Sequence, residues 1–243
     1  MAVTSVGLGG EIRLFKGMYA ATAAGSLSES DYTRLIMHTT GMNTPLGEVI
    51  VTEALSNGRV NLAGPSINSQ LSALCGYFFT ELSAGQVIID GAGDKRTFAA
   101  DSDGVILCAG AAFSRDMRAV VCECVHLCRL MELPPVSKLI HEDAVLINIP
   151  GALTDEILQE ASNSAEIKRT AVITADSSKI FVKPDTLDRF LYRGGAIFVE
   201  KPANLVAVTL NPAAPGYAFD RAAFFDTVIE SVTVPVFDLE NIT

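Results

Sequence analysis

The chain has 243 residues, of which 49 % are apolar and 19 % are charged, and its formal net charge is −10. This composition excludes a disordered chain, and the negative charge argues against non-specific nucleic-acid binding, which needs clustered Lys and Arg. No apolar run reaches about 18 residues, so no membrane-spanning helix is expected.

Short runs rich in Val and Ile predict strands along the whole chain. They read VTSVGL, MYAATA, EVIVTEAL, RVNLAG, QVIID, GVILC, AVLINI, AVITAD, AIFVE, LVAVTL and VPVFD. Many are continuously apolar, which is typical of strands buried on both faces of a parallel sheet. The first four lie closer together and partly alternate, so antiparallel hairpins are expected there, with Asn57-Gly58 as a tight turn.

Helices are expected between these runs. One follows Pro65 and Ser66 and ends at Gly85, with apolar residues every three or four positions. A second runs from Ser114 to the prolines at Pro134. The segments TDEILQEA, DTLDRFLY and DRAAFFDTVIESV each begin with an acid or Thr, which suits a helix N-terminus.

The predicted fold is mixed α/β, with a largely parallel sheet or sheets, helices on both faces and hairpin-like strands in the first 65 residues. The segment LPPVSK resembles a linker and places a boundary near Pro135. The expected domains are an N-terminal α/β half over residues 1–134 and a C-terminal βαβ half over residues 135–243. A single domain with one continuous sheet fits nearly as well.

The cellular location is inferred from the cysteines and the N-terminus. Five cysteines are present, an odd number, and three of them lie in one short stretch, which favours free thiols in a reducing compartment. The N-terminal sequence MAVTSVGLGGEIRLF has no basic segment followed by an apolar one, so secretion is not expected. A cytoplasmic protein is predicted.

The stretch VCECVHLC raises the possibility of a metal site. On a helix, Cys124 and Cys128 lie on the apolar stripe, whereas Cys122 and His126 point to roughly the opposite side. Four ligands cannot converge from opposite faces of one helix, and there is no C-x-x-C motif to supply others. Core thiols with an outward-facing His126 are expected, and no metal.

Catalytic motifs and cofactor motifs are not found. There is no G-x-S-x-G sequence, so a catalytic triad is not expected. His38 is expected near a helix end, where capping or packing accounts for it, and His141 lies at a strand entrance. None of the three histidines lies in the D-x-H-x-x-G signature of cobalamin binding, so no cofactor is expected and no catalytic residue is assigned.

A glycine-rich turn is the first candidate for an anion site or a partner-binding site. Asp90 ends a predicted strand, Gly91 and Gly93 follow it, and Lys95 and Arg96 form a basic pair. The spacing is neither a Walker A loop nor a G-x-G-x-x-G fingerprint. Ligands of open α/β sheets gather at the carboxyl ends of strands, so an anion could bind here. The alternative is a structural salt bridge in a turn.

Two predicted helix starts are further candidates. Ser66 follows a strand and a proline, so it is expected to cap a long helix whose exposed N–H groups could hold an anion. Ser114 is expected to cap the next helix, with Arg115 adding a positive charge. Ordinary capping is the alternative at both. From the residues alone, a small-molecule enzyme or sensor that binds an anion or phosphate is one reading.

Four segments, in this order, carry a resemblance to a known family: TTGMNTPLGEVIV, NLAGPSINSQL, IIDGAGDKRTFAADSDGVILCAGAAFSRD and VTLNPAAPGYAFD. Together they resemble the smaller subunit of the reactivating factor for lysine 5,6-aminomutase and its ornithine-aminomutase relatives. Those mutases are adenosylcobalamin enzymes of anaerobic amino-acid fermentation. The likeness extends from about Val6 to Asp238.

The resemblance implies an accessory role. Members of this family work with a larger subunit similar to mismatch-repair ATPases, and together they help to exchange damaged cobalamin for fresh cofactor in the mutase. The implied partners are therefore the larger ATPase subunit and the aminomutase, and a homo-oligomer is left open. The turn here reads DGAGDKR where the family has a sequence closer to DGALDRR, so Gly93 replaces a leucine while Lys95 and Arg96 keep the basic pair.

Overall fold

The structure, a computed structural model, describes residues 1–91, 98–139, 144–163 and 167–238. The mixed α/β class expected from the sequence is confirmed, with several sheets that include parallel ones. The chain divides into two compact units, Met1–Phe98 and Ala99–Thr243. Across the described ranges, no helix combines the length and the apolar character needed to cross a membrane.

The first unit is built around a mixed sheet. Its elements are β1 (Ala2–Ser5), β2 (Leu8–Leu14), β3 (Tyr19–Ala23), α1 (Ala24–Ser28), β4 (Arg34–Thr44), β5 (Gly47–Ala54), β6 (Gly58–Ala63), α2 (Asn68–Thr80) and β7 (Val87–Asp90). The sheet order is β4-β5-β3-β1-β7, in which β1 is parallel to β3 and β7, and β5 is antiparallel to β3 and β4. β2 and β6 form a separate antiparallel pair.

Two hydrophobic clusters lie on the two faces of this sheet. Leu71, Leu74 and Phe78 follow one stripe of α2 and are buried in the first cluster together with Ala2. The next residue of β1, Val3, belongs to the second cluster, which includes residues of α1, β2 and β6. Because successive strand residues point to opposite faces, the sheet lies between two layers.

The prediction of a tight hairpin at Asn57-Gly58 is wrong. The flanking strands β5 and β6 do not pair with each other, because β5 pairs with β3 and β4 whereas β6 pairs with β2. The Asn57 side chain instead accepts a hydrogen bond from the backbone N–H of Lys16 at 2.9 Å. A Cβ on Gly58 would lie 2.6 Å from Oδ1 of Asp31. The Asn-Gly pair therefore lies where the chain passes close to Lys16 and Asp31.

The expectation that His38 lies near a helix end is also wrong. His38 is in β4, and its ring stacks on Tyr77 of α2 with the ring centroids 4.7 Å apart. The sequence signal for β4 is weak because its apolar run, Leu35 to Met37, is short and polar residues follow it. Thr39 and Thr40 are β-branched, however, and fit a half-exposed edge strand.

The second unit alternates strands and helices. Its elements are β8 (Val105–Gly110), α3 (Met117–Met131), β9 (Val145–Ile149), β10 (Leu153–Thr154), α4 (Asp155–Ser162), β11 (Thr170–Thr174), β12 (Ile180–Phe181), α5 (Pro184–Tyr192), β13 (Ala196–Val199), β14 (Leu205–Asn211), β15 (Ala213–Ala214), β16 (Tyr217–Ala218), α6 (Arg221–Ile229) and β17 (Val236–Asp238). Two parallel sheets have the orders β17-β14-β8 and β13-β11-β9. β10 pairs with β12, and β15 with β16.

Each parallel sheet of this unit packs against helices in its own buried core, and α3 contributes to both cores, through Val120 to one and through Leu130 to the other. Val120 of α3, Val208 of β14 and Phe224 of α6 belong to one buried cluster. Val172 of β11 and Phe190 of α5 belong to another, to which α4 also contributes. The apolar stripes read from the sequence are thus the faces that the helices bury against the strands.

The division of the chain does not coincide with the boundary expected near Pro135, because it falls at Phe98 and Ala99. α3 precedes Pro135 in the chain and α6 follows it, yet the two helices share one core. Pro135 itself forms a parallel bridge to Val199 at the end of β13. The prolines therefore end a helix and lead into a strand contact inside one compact unit.

Candidate functional site

The predicted site residues lie in both units. Asp90, Gly91 and Ser66 are in the first, and Ser114 and Arg115 are in the second. Gly93, Lys95 and Arg96, at the centre of the glycine-rich turn, lie outside the described residues. Two separate strand edges are therefore the candidate sites.

The edge in the first unit is formed where β1 and β7 end side by side. Ser5 and Asp90 are the last residues of these parallel strands and are partners in register. The Ser5 hydroxyl donates to the carbonyl of Gly7 at 2.8 Å and accepts from the backbone N–H of Gly64 at 3.0 Å. Because Gly64 and Ser66 lead from β6 into α2, the start of that helix lies at the same edge as Asp90.

Asp90 is held at this edge by backbone groups of β2. Its Oδ2 accepts a hydrogen bond from the N–H of Gly10 at 2.9 Å. A Cβ on Gly9 would lie 2.7 Å from the same oxygen and 2.8 Å from Cβ of Ser5, so only glycine fits there. Sequence reasoning missed Gly9 and Gly10, although the repeated glycine after a strand was a signal of close backbone approach.

The expectation that Ser66 caps α2 is wrong. The helix begins at Asn68, the N-cap position is the extended residue Ile67, and its side chain has no oxygen to accept a hydrogen bond. The first turn contains no acidic residue, so the positive end of the helix dipole is not offset by a carboxylate within the helix. Ser66 is exposed one residue earlier. The edge thus combines one carboxylate, Asp90, with one electropositive helix end.

The edge in the second unit is formed by the ends of β8, β14 and β17. Gly110 and Asn211 are partners in register, and a Cβ on Gly110 would lie 2.6 Å from the carbonyl oxygen of Asn211. The Tyr217 hydroxyl donates a hydrogen bond to the carbonyl of Ala111. The guanidinium of Arg115 lies 5.0 Å from the centre of the Tyr217 ring, a cation–π contact. The segments after β8 and β14 are therefore fixed against each other.

The expectation that Ser114 caps α3 is wrong as well. α3 begins at Met117, and its N-cap is Asp116, whose Oδ1 accepts the N–H of Arg118 at 2.9 Å. The Ser114 hydroxyl accepts the N–H of Asp116 at 3.1 Å and so supports the cap from outside the helix. A carboxylate already occupies this helix start, which makes it less suited to an anion than the start of α2.

This cap assignment predicts different stabilities for two alanine variants. Asp116→Ala should lower the free energy of unfolding by about 1 kcal/mol, because it removes the side chain that accepts the N–H of Arg118. Ser114→Ala should cost only a few tenths of a kcal/mol, since the cap itself stays. Urea titration followed by circular dichroism measures both, and a larger loss for Ser114→Ala would contradict the assignment.

An ion pair lies at the end of β17. Arg221 donates a hydrogen bond through Nε to Oδ2 of Asp238 at 2.5 Å, its Nη2 lies 2.5 Å from the same oxygen, and the carboxylate side chain is only 8 % exposed. An open surface pocket of about 360 Å³ beside the pair is also lined by Ala222 and Phe225. The sequence placed Asp238 at a strand end but gave no signal that the first residue of α6 would bind it.

The cysteines of helix α3 lie on the sides of the helix that the sequence predicted. Cys124 and Cys128 are buried and Cys122 is exposed. A hydrogen bond with Cys124, together with burial, raises the pKa of the Cys128 thiol, so this thiol is not an activated nucleophile. Over the described ranges, no three His, Cys, Asp or Glu side chains are grouped closely enough to hold a metal ion.

The expectation of an outward-facing His126 is wrong. The side chain is buried, and its Nε2 lies 2.8 Å from the carbonyl oxygen of Val182, just before α5. α3 is therefore contacted on two sides, by its own sheet and by the chain that leads into α5. His141 lies outside the described residues.

Comparison of the chain with models of protein families, with curated proteins and with solved structures gave no match in any of the three.

Proposed function

We propose that this chain is the smaller, non-ATPase subunit of a factor that reactivates an adenosylcobalamin-dependent aminomutase of amino-acid fermentation, acting in the cytoplasm. The proposal rests on the resemblance of the four segments. The arrangement of these segments in the fold supports it, because most of them follow the carboxyl ends of strands, where ligands and partners of α/β proteins commonly bind.

In the first unit, NLAGPSINSQL spans the end of β6 and the start of α2, and IID ends β7. The two segments meet through Ser5, which pairs with Asp90 and accepts a hydrogen bond from Gly64. The segment TTGMNTPLGEVIV forms the tip between β4 and β5. Asp90, the last residue of β7, and Gly64, the fourth residue of NLAGPSINSQL, are thus both joined to Ser5.

In the second unit, VILCAGAAFSRD leads from β8 to the cap of α3, and VTLNPAAPGYAFD leads from β14 to Asp220, the cap of α6. They are joined by the bond from Tyr217 to Ala111 and by the stacking of Arg115. Segments far apart in sequence thus form one surface. A fixed surface of this kind suits partner recognition, and ATP hydrolysis would belong to the larger subunit.

A reconstitution assay tests the proposal. The aminomutase is first inactivated by turnover, and then incubated with ATP, adenosylcobalamin and the larger ATPase subunit, with or without this chain. We expect mutase activity to return only when both subunits are present. Recovery with the ATPase subunit alone, or no recovery with both, would contradict an accessory role in reactivation.

The second candidate function is binding of a phosphate-containing small molecule at the first-unit edge, as an enzyme or a sensor. The observation that favours it is that Asp90 and the start of α2, whose first turn contains no acidic residue, lie at the same edge of the sheet. An anion would need the charges of Lys95 and Arg96 as well, because Asp90 repels it.

Thermal unfolding with added phosphate, nucleotides or cobalamins tests this candidate. A ligand of the folded state should raise the melting temperature, and replacement of both Lys95 and Arg96 by alanine should abolish the rise. Replacement of Arg59 and Lys16, which lie elsewhere in the first unit, provides a control of equal charge change. A rise that persists in the Lys95/Arg96 variant would rule out this site.

A further inference from the structure

One face of the β17-β14-β8 sheet carries exposed apolar side chains. In the parallel register, Ile106 is the partner of Ala207, and Thr209 is the partner of both Cys108 and Phe237. Partners in register point to the same face of a sheet, and residues two apart in one strand do so as well. Ile106, Cys108 and Phe237 therefore share one surface, which we call the open face.

The opposite face of the same sheet is buried under helices. Leu107, Val208 and Val236 are partners in register and pack in the cluster that includes α3 and α6. On the open face, Ile106 of β8 is 58 % exposed and Phe237 of β17 is 48 % exposed, whereas Ala207 and Thr209 of the central strand β14 are buried between them. Parallel sheets normally have both faces covered, so an exposed apolar face on such a sheet is a feature to be explained.

Acidic side chains surround the amino-terminal edge of this sheet. Asp103 and Glu200 precede β8 and β14 and are exposed. Glu132 and Glu230 follow the last turns of α3 and α6. Glu132 accepts a hydrogen bond from the hydroxyl of Thr233, shortly before β17 begins, so the helix ends lie at this edge.

One cation at this edge is already paired. Lys201 forms an ion pair with Asp101, so its charge is already offset. The carbonyl ends of α3 and α6 add partial negative charge. The open face is thus an apolar surface bordered on one side by net negative charge.

We propose that the open face binds a second protein through an apolar surface flanked by Lys and Arg, and that this protein is the larger ATPase subunit. The identity of the partner rests on the proposed function, whereas its chemistry follows from the exposed side chains and the acidic edge. Apolar contact supplies most of the affinity, and the opposite charges set orientation and association rate. A second copy of this chain fits less well, because it carries the same acidic edge and a net charge of −10.

Binding of the purified larger subunit, measured by isothermal titration calorimetry, tests the inference. Ile106→Glu and Phe237→Glu should each weaken binding at least about tenfold, because each puts a charge into the apolar contact. Phe181→Glu is the matched control, since Phe181 is 61 % exposed on β12 and should leave affinity unchanged. Asp103→Lys combined with Glu200→Lys should weaken binding and reduce its dependence on salt.

The outcomes separate this inference from the proposed function. If the unaltered chain does not bind the larger subunit, the proposed function fails. If it binds, and Ile106→Glu and Phe237→Glu bind equally well, the function stands and the open face is not the interface. The last measurement is the oligomeric state of the chain alone, by sedimentation. A dimer that dissociates in the Phe237→Glu variant would show that the open face binds a second copy of this chain, and would overturn the proposal. Circular dichroism should show unchanged melting for these surface variants.

Discussion

Gly64→Ala is expected to destabilise the first unit by about 3 kcal/mol or more. A Cβ on Gly64 would overlap the backbone oxygen of Ser5, and it would also lie 2.9 Å from Oγ1 of Thr4. Thr4 and Ser5 are fully buried in β1 at the centre of the unit, so neither can move without disturbing the sheet. The backbone of β6 would have to shift, and the bond from Gly64 to the Ser5 hydroxyl would be lost.

Urea unfolding followed by circular dichroism measures this loss. Gly76→Ala is the matched control, because it makes the same chemical change within α2, where a Cβ meets nothing within 4 Å. In a helix interior this control should raise stability by about 0.5 to 1 kcal/mol, since alanine has the higher helix propensity. If Gly64→Ala unfolds at the same urea concentration as the unaltered chain, the close packing of β6 on β1 is wrong.

The strands that could be predicted from the sequence, such as β11 and β14, are buried strands that contain a local run of apolar residues rich in Val or Ile. Pairing was not predictable in the same way, because the partner of a strand is chosen by distant residues. The hydrogen bond from Gly10 to Asp90 joins residues 80 positions apart, and the glycine pair, which signals a close approach, does not identify so distant a partner. Hence the carboxylate of the candidate site was found from sequence, while the glycines that hold it were not.

Helix orientation shows the same limit. The apolar stripe correctly placed Cys124 and Cys128 inside, because α3 packs on its own sheet along that stripe. His126 lies off the stripe and was expected in solvent, but the chain near Val182 covers that side of the helix. The cap predictions failed for a different reason: Ser66 and Ser114 each suit an N-cap, but the backbone starts the two helices at Asn68 and Met117.

Phe224→Ala is expected to cost about 3 to 5 kcal/mol in the second unit, because it leaves a cavity in the core. Phe224 is fully buried and packs edge-to-face on Phe219 with ring centroids 5.3 Å apart. The alanine variant also loses this aromatic contact. Phe113→Ala is the matched control, since Phe113 is 65 % exposed and its loss should change stability little.

Hydrogen exchange in the Phe224→Ala variant also tests how far the second unit unfolds together. Phe224 lies in α6 and shares its core with Val120 and Cys124 of α3, which precede Pro135 in the chain. We therefore expect amide protection to fall together in α3 and α6, because helices in one core open as one cooperative unit. Protection that falls in α6 while α3 keeps its native values would instead support independent halves on either side of Pro135, as the linker-like prolines suggested.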